Sequence, residues 1–311
     1  MTLPMNPYTA CQVCPRRCAV NRRAGMRGRC GETAVLRLAA AALHHGEEPP
    51  LIGTGGSGTI FVSGCNLGCI FCQNRQISHD GMGRAVSTEE FVSICRMLHD
   101  ARAENINIVT GSHAVPALVA GIQAVAAAAI PLPVLWNSSA YESSAALEML
   151  AGLVDGYLPD LKTLDSALAA RFFSAPDYPS VAVSALEQMM QQTRTVIIRH
   201  LVLPGLLDST YTVLRWFAER AAGKAVLSLM MQYTPVDAGG RGAPDRMVND
   251  YEYETVLGWL DEFGIDEGFY QELQTDSDWL PDFSKPNPFS AHLSKPVWHW
   301  RTGMVRDGSE V

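Results

Sequence analysis

Short runs of aliphatic and β-branched residues alternate with longer amphipathic runs between residues 59 and 272, and this alternation restricts the fold most strongly. Such alternation is typical of βα units, which build a parallel sheet. We predict strands at Thr59–Ser63, Ile106–Thr110, Pro133–Asn137, Gly156–Leu161, Thr195–Leu203 and Ala225–Gln232, with a closing strand near Gly268–Leu273. We predict helices at 88–102, 114–128, 143–153, 165–173, 180–193, 209–222 and 250–263. The pattern therefore predicts an α/β protein in which the carboxyl ends of the strands share one face.

Composition and charge restrict the class of protein. Of the 311 residues, 47% are hydrophobic and 18% are charged, which is typical of a compact globular chain. The formal net charge of −8 predicts no nucleic-acid partner. The first eight residues lack the regions of a signal peptide, and the longest apolar run, Ala124–Trp136, is too short for a bilayer. We therefore expect a cytoplasmic protein with no membrane partner, and metal binding explains its eight cysteines better than disulfide bonds do.

Three cysteines within eight residues follow the first predicted strand, in the stretch Cys65-Asn-Leu-Gly-Cys69-Ile-Phe-Cys72. Three thiolates at this C-x3-C-x2-C spacing can hold three corners of a [4Fe–4S] cluster. No fourth cysteine is near them in the sequence, so the last iron would be open to another ligand, unlike the irons of most electron carriers. A structural zinc would need a fourth Cys or His close by, which makes zinc the weaker interpretation at this loop.

This motif, with Phe71 before its last cysteine, resembles the signature of the radical S-adenosylmethionine (SAM) enzymes. With Gln73-Asn-Arg75 after it, the stretch is similar to the glycyl-radical-enzyme activases, typified by pyruvate formate-lyase activating enzyme. Gly46-Glu-Glu-Pro-Pro50 and Trp298-His-Trp300-Arg301 favour a branch related to the activases. The resemblance implies a partial (β/α)6 barrel of the TIM type, and an open iron that chelates SAM. It also implies reductive cleavage of SAM to a 5′-deoxyadenosyl radical that abstracts hydrogen from a substrate.

The resemblance further implies SAM contacts at the ends of successive strands. Phe71 would pack near the adenine or fill the core of its own loop. Where the activases carry Gly-Gly-Glu, this chain has Gly111-Ser-His113, in which Gly111 permits a close backbone approach and His113 either binds SAM or caps the next helix. The other implied contacts are Asn74, Ser112, Asn137, Ser139, Asp160, Lys162, Arg199, Pro204 and Gly205.

Two of these strand ends carry charges. Asp160-Leu-Lys162 matches an Asp-Leu-Lys motif of the activases, and strand alternation would aim both charges to one face. Charges in an apolar strand need partners, which here are either a SAM zwitterion or each other. Arg199, ahead of Pro204-Gly205, matches an activase segment whose arginine contacts the SAM carboxylate, a role that suits a planar guanidinium.

A second group of cysteines lies near the N-terminus. Cys11, Cys14, Cys18 and Cys30 fall within twenty residues, among glycines and a proline that permit turns. In the cytosol such a set indicates a metal-binding knuckle that holds either a structural zinc, which we prefer, or a second iron–sulfur cluster. Cys95 lies between apolar residues of a predicted helix and is expected in the core.

We expect a cysteine-rich knuckle over 1–32, a connector over 33–58, the barrel over 59–272 and a C-terminal wrapping segment over 273–311. The leading hypothesis is a radical SAM enzyme that acts on a protein glycine or another substrate, with a reductant such as flavodoxin or ferredoxin. The alternatives are a radical SAM enzyme that modifies a small molecule or peptide, and a non-catalytic iron–sulfur carrier or electron-transfer protein. An open groove would favour a protein glycine, and a closed small pocket would favour a small molecule.

Overall fold

The computed structural model describes residues 6–236, 242–273 and 279–305. The strands in these ranges are β1 (Arg37–His44), β2 (Ser57–Val62), β3 (Arg84–Ala85), β4 (Ile106–Val109), β5 (Val134–Ser138), β6 (Gly156–Pro159), β7 (Ile197–Leu201), β8 (Val226–Met230), β9 (Gly268–Tyr270), β10 (Ser294–His299) and β11 (Gly303–Met304). The α-helices are α1 (Pro49–Ile52), α2 (Arg75–Ser78), α3 (Thr88–Asp100), α4 (Val115–Ala127), α5 (Ser144–Leu150), α6 (Ser166–Phe173), α7 (Tyr178–Gln192), α8 (Leu207–Arg220) and α9 (Asp250–Phe263). None of these helices is both long and apolar enough to span a bilayer.

The sheet confirms the predicted α/β class. Strands β2, β4, β5 and β6 pair in parallel in that order, and β7, β8 and β9 form a second parallel ladder. Isolated parallel bridges, Tyr157 with Val196 and Asp160 with Arg199, join β6 to β7. The seven predicted strands are therefore present with small shifts at their ends. Within the described ranges the two outermost strands do not pair with each other, so the barrel is partial.

The main core lies between the parallel strands and the helices that cover their outer face. Helix α3 contributes Phe91, Ile94 and Leu98, all fully or almost fully buried. These residues lie on one face of the helix because they recur at intervals of three and four. Cys95 is fully buried in the same helix, which confirms the prediction that it is a core residue.

Strand β1 lies inside the segment that the sequence analysis treated as a connector. It pairs antiparallel with β2 on one side and with β10 on the other, and every residue after Arg37 is buried. Its stretch Leu38-Ala-Ala-Ala-Ala-Leu43 consists of residues with high helix propensity, so no local pattern indicates a strand. Pairing with neighbours on both sides overrides that propensity, and the predicted connector is part of the sheet.

The predicted wrapping segment also contains strands that the sequence analysis did not identify. Strands β10 and β11 form an antiparallel pair that extends the sheet beyond β1. A proline such as Pro296 in a sequence pattern argues against a strand, because it cannot donate a backbone hydrogen bond. The sheet accommodates Pro296 in β10, because the register of β1 and β10 shifts beside it, between Ala41 and Ala42. Residues 274–278 and 306–311 of the predicted segment lie outside the described residues.

The loop between β1 and β2 enters the barrel. Its helix α1 carries Leu51, which packs into one buried cluster with Leu135, Leu158 and Ile197 from the inner faces of β5, β6 and β7. The Asn105 side chain donates to the Leu51 carbonyl at 2.7 Å, which fixes the helix in place. The floor of the barrel is therefore formed by a part of the chain that precedes the first parallel strand.

Candidate active site

A cavity of about 300 Å³ lies at the carboxyl ends of the parallel strands and extends into the barrel. The loop after β2, the ends of the next strands, the loop after β1 and the C-terminal segment all contribute to its wall. Ten of the predicted site residues line it: Cys65, Cys69, Phe71, Cys72, Asn74, Asn137, Ser139, Asp160, Lys162 and Arg199. Residues that are far apart in the chain therefore meet where the parallel topology predicts.

The three cysteines of the loop after β2 share one wall of this cavity. The Cys65 Sγ accepts a hydrogen bond from a backbone N–H at 3.4 Å, and the Cys72 Sγ accepts one from the Ser78 hydroxyl at 3.4 Å. Gly64, with φ of +83°, makes the turn into the loop, and a Cβ there would lie 2.5 Å from the Glu32 side chain. Only glycine fits that conformation and that approach.

The chemistry of this donor set fits an iron–sulfur cluster. Burial raises the pKa of all three thiols, and Lys162 opposes that effect, so the thiolates need a metal partner to persist. The three thiols line a cavity that is larger than the space around a single ion, so the donor set fits a cluster.

Asp160 and Lys162 form an ion pair on the wall beside the cysteines. The Lys162 Nζ donates to the Asp160 Oδ2 at 2.8 Å. The Asp160 side chain is 21% exposed and the Lys162 side chain is 16% exposed. The Tyr178 hydroxyl donates to the Asp160 carbonyl at 2.8 Å and accepts from the Lys162 backbone N–H at 2.9 Å. The residues therefore pair with each other, and the ammonium keeps further donors toward the cavity.

Arg199 lines the cavity, but two carboxylates of the chain already hold its guanidinium. Its Nε donates to the Glu48 Oε1 at 2.8 Å, and its Nη2 binds both the Glu48 Oε2 and the Glu47 Oε2. Burial lowers the pKa of Arg199. The two carboxylates raise it by more, so the pKa of Arg199 lies above its usual value. The resemblance implied that Arg199 binds the SAM carboxylate. That carboxylate would have to compete with Glu47 and Glu48 for the guanidinium.

Comparison with known proteins identifies the family. Residues 59–217, just over half of the chain, match the model of the radical SAM superfamily. An uncharacterized protein of Methanocaldococcus jannaschii is 30% identical over 270 residues, which cover 84% of this chain and 77% of that relative. The chain belongs to the radical SAM superfamily. Membership implies an enzyme with a [4Fe–4S] cluster and SAM that depends on a reductant.

Two solved structures of radical SAM enzymes resemble this one. Streptococcus suis SuiB bound to its precursor peptide SuiA matches with a TM-score of 0.50 and 15% identity over 68% of this chain and 47% of that chain. A radical SAM methyltransferase from Sphaerobacter thermophilus matches with a TM-score of 0.47 and 18% identity over 70% and 67% of the two chains. The chain spans about half the length of SuiB, and the likeness to SuiB is one of fold alone.

Three predicted SAM contacts of the radical SAM domain lie behind the cavity wall. A Cβ on Gly111 would lie 2.4 Å from the Trp136 ring, so packing requires the glycine. The Ser112 hydroxyl donates to the Glu142 Oε1 at 2.6 Å. The His113 Nε2 donates to a backbone carbonyl at 2.8 Å, and burial lowers its pKa to about 3, which keeps the ring neutral. None of these three residues lines the cavity.

Pro204 and Gly205 also lie away from the cavity, at the turn before α8. Gly205 has φ of +77°, and its backbone N–H donates to the Glu252 Oε1 at 2.7 Å. Glu252 closes a capping box with Asn249 at the start of α9. In this structure the turn therefore joins two outer helices of the domain.

The sequence analysis missed one end of the cavity. That end is lined by residues from the loop after β1 and from the C-terminal segment: His44, Gly46, Glu47, Trp279, Pro281 and Phe289. The stretch Gly46-Glu-Glu-Pro-Pro50, which is part of the family resemblance, was the sequence feature that pointed to this end of the cavity. Its position in the barrel depends on the pairing of β1 with β2.

The N-terminal cysteines form a compact turn structure apart from the cavity. The Cys18 Sγ accepts from the Arg29 backbone N–H at 3.3 Å, and a Cβ on Gly28 would lie 3.4 Å from the Cys18 Sγ and 3.7 Å from the Cys30 Sγ. Burial raises the pKa of Cys14 to about 12. These contacts bring Cys18 and Cys30 together, and the metal predicted at the four thiols stays a prediction.

Two arginines of this N-terminal region reach into the radical SAM domain. The Arg16 guanidinium donates to the carbonyls of Asn66 and Leu67 in the cysteine loop at 2.8 and 2.9 Å, and to two carbonyls at the end of α6 at 2.7 and 2.5 Å. The buried Arg22 donates to the carbonyls of Thr33 and His113 and stacks on an aromatic ring. The N-terminal region therefore supports the loop that carries the three cysteines.

Proposed function

We propose that this enzyme reductively cleaves SAM and uses the resulting 5′-deoxyadenosyl radical to abstract hydrogen from a substrate in the cavity. The observation that carries the proposal is the shared wall of Cys65, Cys69 and Cys72, which faces the polar strand ends of the barrel. A cluster held by three thiolates keeps one iron open, as chemistry at the cluster requires. When bound, the cluster and SAM supply the electron transfer and the reactive carbon.

The chain's own residues would position and shield that chemistry. Phe71 is 5% exposed, and its ring packs at 5.6, 6.0 and 6.1 Å from the rings of Phe172, Phe173 and Tyr233. This aromatic packing fixes the cysteine loop and excludes water behind it. Asp160 and Lys162 lie on the same wall and offer an acceptor and a donor to the amino-acid part of SAM.

The substrate we favour is a small molecule or a single side chain of a peptide. Residues of the C-terminal segment form part of the cavity wall: Trp279, Pro281 and Phe289 line it, and Phe283 and Phe289 pack on Phe61 at 5.2 and 5.4 Å between ring centroids. A glycine loop of a partner protein, which the activase resemblance would favour, needs an open side. The aromatic residues of the C-terminal segment narrow one side of the cavity, which supports the alternative.

We extend the proposal to the remaining parts of the system. The four N-terminal thiols would hold a structural zinc or a second iron–sulfur cluster, and a flavodoxin or ferredoxin would deliver the electron. None of the eight cysteines, all of which lie in the described residues, forms a disulfide, which is consistent with the cytoplasmic location that we propose.

The decisive experiment measures SAM cleavage by the reconstituted protein. The enzyme would be purified anaerobically, loaded with iron and sulfide, reduced with dithionite in the presence of SAM, and assayed for 5′-deoxyadenosine. We expect 5′-deoxyadenosine from the wild type and none above background from Cys69→Ala. Cys95→Ala is the matched control, because that thiol lies in the core of α3 and should leave cleavage intact.

Two results would reject the proposal. One is a fully loaded wild-type cluster that forms no 5′-deoxyadenosine and shows no spectral response to SAM, which would favour an iron–sulfur carrier. The other is equal cleavage by the wild type and Cys69→Ala.

A further inference from the structure

The backbone of the segment Asp160-Leu161-Lys162, which follows β6, is held at each of its three residues. The Asp160 N–H donates to the Ser138 carbonyl at 2.8 Å. The Leu161 N–H donates to the Arg199 carbonyl at 2.8 Å. These two bonds continue the pairing of β6 with β5 and β7. Three further backbone groups of the segment, the carbonyls of Asp160 and Leu161 and the N–H of Lys162, bind two buried side chains.

Tyr178, the first residue of α7, is one of these two residues. Its hydroxyl accepts a hydrogen bond from the Lys162 backbone N–H at 2.9 Å. It shares its own proton between the Asp160 carbonyl at 2.8 Å and the Ser139 carbonyl at 3.0 Å. The side chain is fully buried, and its ring packs 5.2 Å from the Phe173 ring between centroids. One hydroxyl on a fixed ring therefore joins the residues that follow β5 to those that follow β6.

His200 of β7 is the other residue. Its Nδ1 donates to the Leu161 carbonyl at 2.7 Å, and its Nε2 accepts from the Thr210 hydroxyl at 3.0 Å. These partners select the neutral tautomer with its proton on Nδ1, because a carbonyl can only accept. Burial lowers the pKa of His200 to about 4, so the ring stays neutral near pH 7. The buried imidazole is therefore a fixed donor to the middle residue of the segment.

The segment separates this support from the cavity. Asp160 and Lys162 line the cavity, as does Ser139, whereas Tyr178 and His200 do not. The ion pair between Asp160 and Lys162 takes its position from the backbone that carries it. Hydrogen bonds weaken steeply as their angle departs from linearity, and a misplacement of about 1 Å is enough to impair a site. The two buried side chains therefore determine how accurately the charged pair meets a ligand.

We propose that Tyr178 and His200 are positioning residues for SAM, which hold the backbone of Asp160 and Lys162 so that the ion pair meets the amino-acid part of SAM. The inference rests on the proposed function, in which this pair offers an acceptor and a donor to SAM. Tyr178 has the larger role, because its hydroxyl holds two residues of the segment and Ser139 as well. His200 holds a single carbonyl of the segment.

The test measures SAM binding to oxidised, cluster-loaded protein by calorimetric titration without reductant. Tyr178→Phe removes one oxygen atom and keeps the ring. We expect the Kd for SAM to rise about tenfold, because buried backbone groups of the segment lose their partner and shift. Tyr157→Phe is the matched control. That buried tyrosine of β6 also loses a hydrogen bond, to Gln192 at 2.5 Å, but it packs in the main core and should leave the Kd within about threefold.

Further variants distinguish positioning from a general loss of stability. Lys162→Met removes a group that Tyr178 positions, so adding Tyr178→Phe to it should weaken SAM binding by less than about threefold. His200→Asn places an amide donor where the Nδ1 was and should keep the Kd within about threefold of the wild type, whereas His200→Leu should not. If Tyr178→Phe does not fold, the two His200 variants decide.

Equal SAM affinity of Tyr178→Phe and Tyr157→Phe would overturn the proposal. So would full additivity of Tyr178→Phe and Lys162→Met, because the tyrosine would then act through another group. Failure of the proposed function is a separate result: SAM binding that depends on Tyr178, without formation of 5′-deoxyadenosine, rejects radical chemistry and retains the positioning role. Normal 5′-deoxyadenosine formation with wild-type SAM affinity in Tyr178→Phe has the opposite meaning.

Discussion

The two groups of cysteines in this chain have different surroundings. Cys65, Cys69 and Cys72 line a cavity beside an ion pair and polar strand ends. The N-terminal cysteines lie among tight turns and backbone hydrogen bonds, and none of them lines that cavity. Arg16, between Cys14 and Cys18, donates to carbonyls of the cysteine loop. The comparison leads us to expect that the cysteines at the cavity take part in the chemistry and that the N-terminal region, through Arg16, supports their loop.

The largest expected effect separates the two groups by their metal. We expect Cys72→Ala to lose essentially all cluster iron and SAM cleavage, because two thiolates do not hold the cluster. Cys14→Ala should retain about four irons per chain and lose the metal of the N-terminal group. Elemental analysis of anaerobically loaded protein measures both. Loss of all iron from Cys14→Ala would contradict the assignment of separate metals to the two groups. About eight irons per chain in the wild type would mean that the N-terminal cysteines hold a second cluster rather than zinc.

The second prediction concerns the support that one group gives the other. Arg16→Ala removes four charge-assisted hydrogen bonds to backbone carbonyls. We expect the free energy of unfolding to fall by about 3 kcal/mol, because those carbonyls lose their donors. Anaerobic urea unfolding measures the change. Arg23→Ala, at an exposed position nearby, should change it by less than about 0.5 kcal/mol. Equal stability of the two variants would show that Arg16 supports nothing.

The third prediction concerns charge beside the reactive group. Lys162 lies next to the thiols, and replacing it with Met removes one positive charge from the cavity wall. The reduced cluster is the more negative state, so we expect the midpoint potential to fall by about 60 mV, equivalent to about 1.4 kcal/mol for one electron. A redox titration followed by electron paramagnetic resonance measures it. Lys224→Met, on an exposed turn, is the control, and an unchanged potential in Lys162→Met would refute the assigned proximity.

The smallest effect tests the junction between the two regions. Glu142 is buried behind the cavity wall, and the next residue, Ser143, donates to the Val13 carbonyl at 2.7 Å. Burial raises the pKa of Glu142 above its usual value of 4.5. The folded state therefore keeps its proton to a higher pH than the unfolded chain does. Stability should fall as the pH rises from about 4.5 through the raised pKa.

Glu142→Gln keeps an acceptor for Ser112 and Trp136 and cannot ionise. We expect the variant to be more stable than the wild type by about 1 kcal/mol at pH 8, with no difference below about pH 4.5. Urea unfolding across this range provides the measurement. Glu148→Gln, at an exposed position on α5, should show no such pH dependence. A difference of the same size at every pH would mean that ionisation is not the cause.

Local patterns were sufficient for the parallel strands and the cysteine loop. The run Thr59–Ser63 is apolar and β-branched in sequence, and β2 overlaps it at Ser57–Val62. Strands β1 and β10 were missed for the opposite reason, since four alanines and a proline carry the wrong local signal. Both strands form because they pair with other strands, and a short stretch of sequence does not reveal those partners.

By itself, the sequence determined the spacing of Cys65, Cys69 and Cys72, the succession of parallel strands and the sign of the charges at their ends. Those features depend on neighbours in the chain, through periodicity and motif spacing. Only the tertiary structure decided that Arg199 meets Glu47 and Glu48, about 150 residues earlier in the chain. The reason is that the pairing of β1 with β2 carries the loop after β1 into the barrel, and such long-range contacts arise from topology.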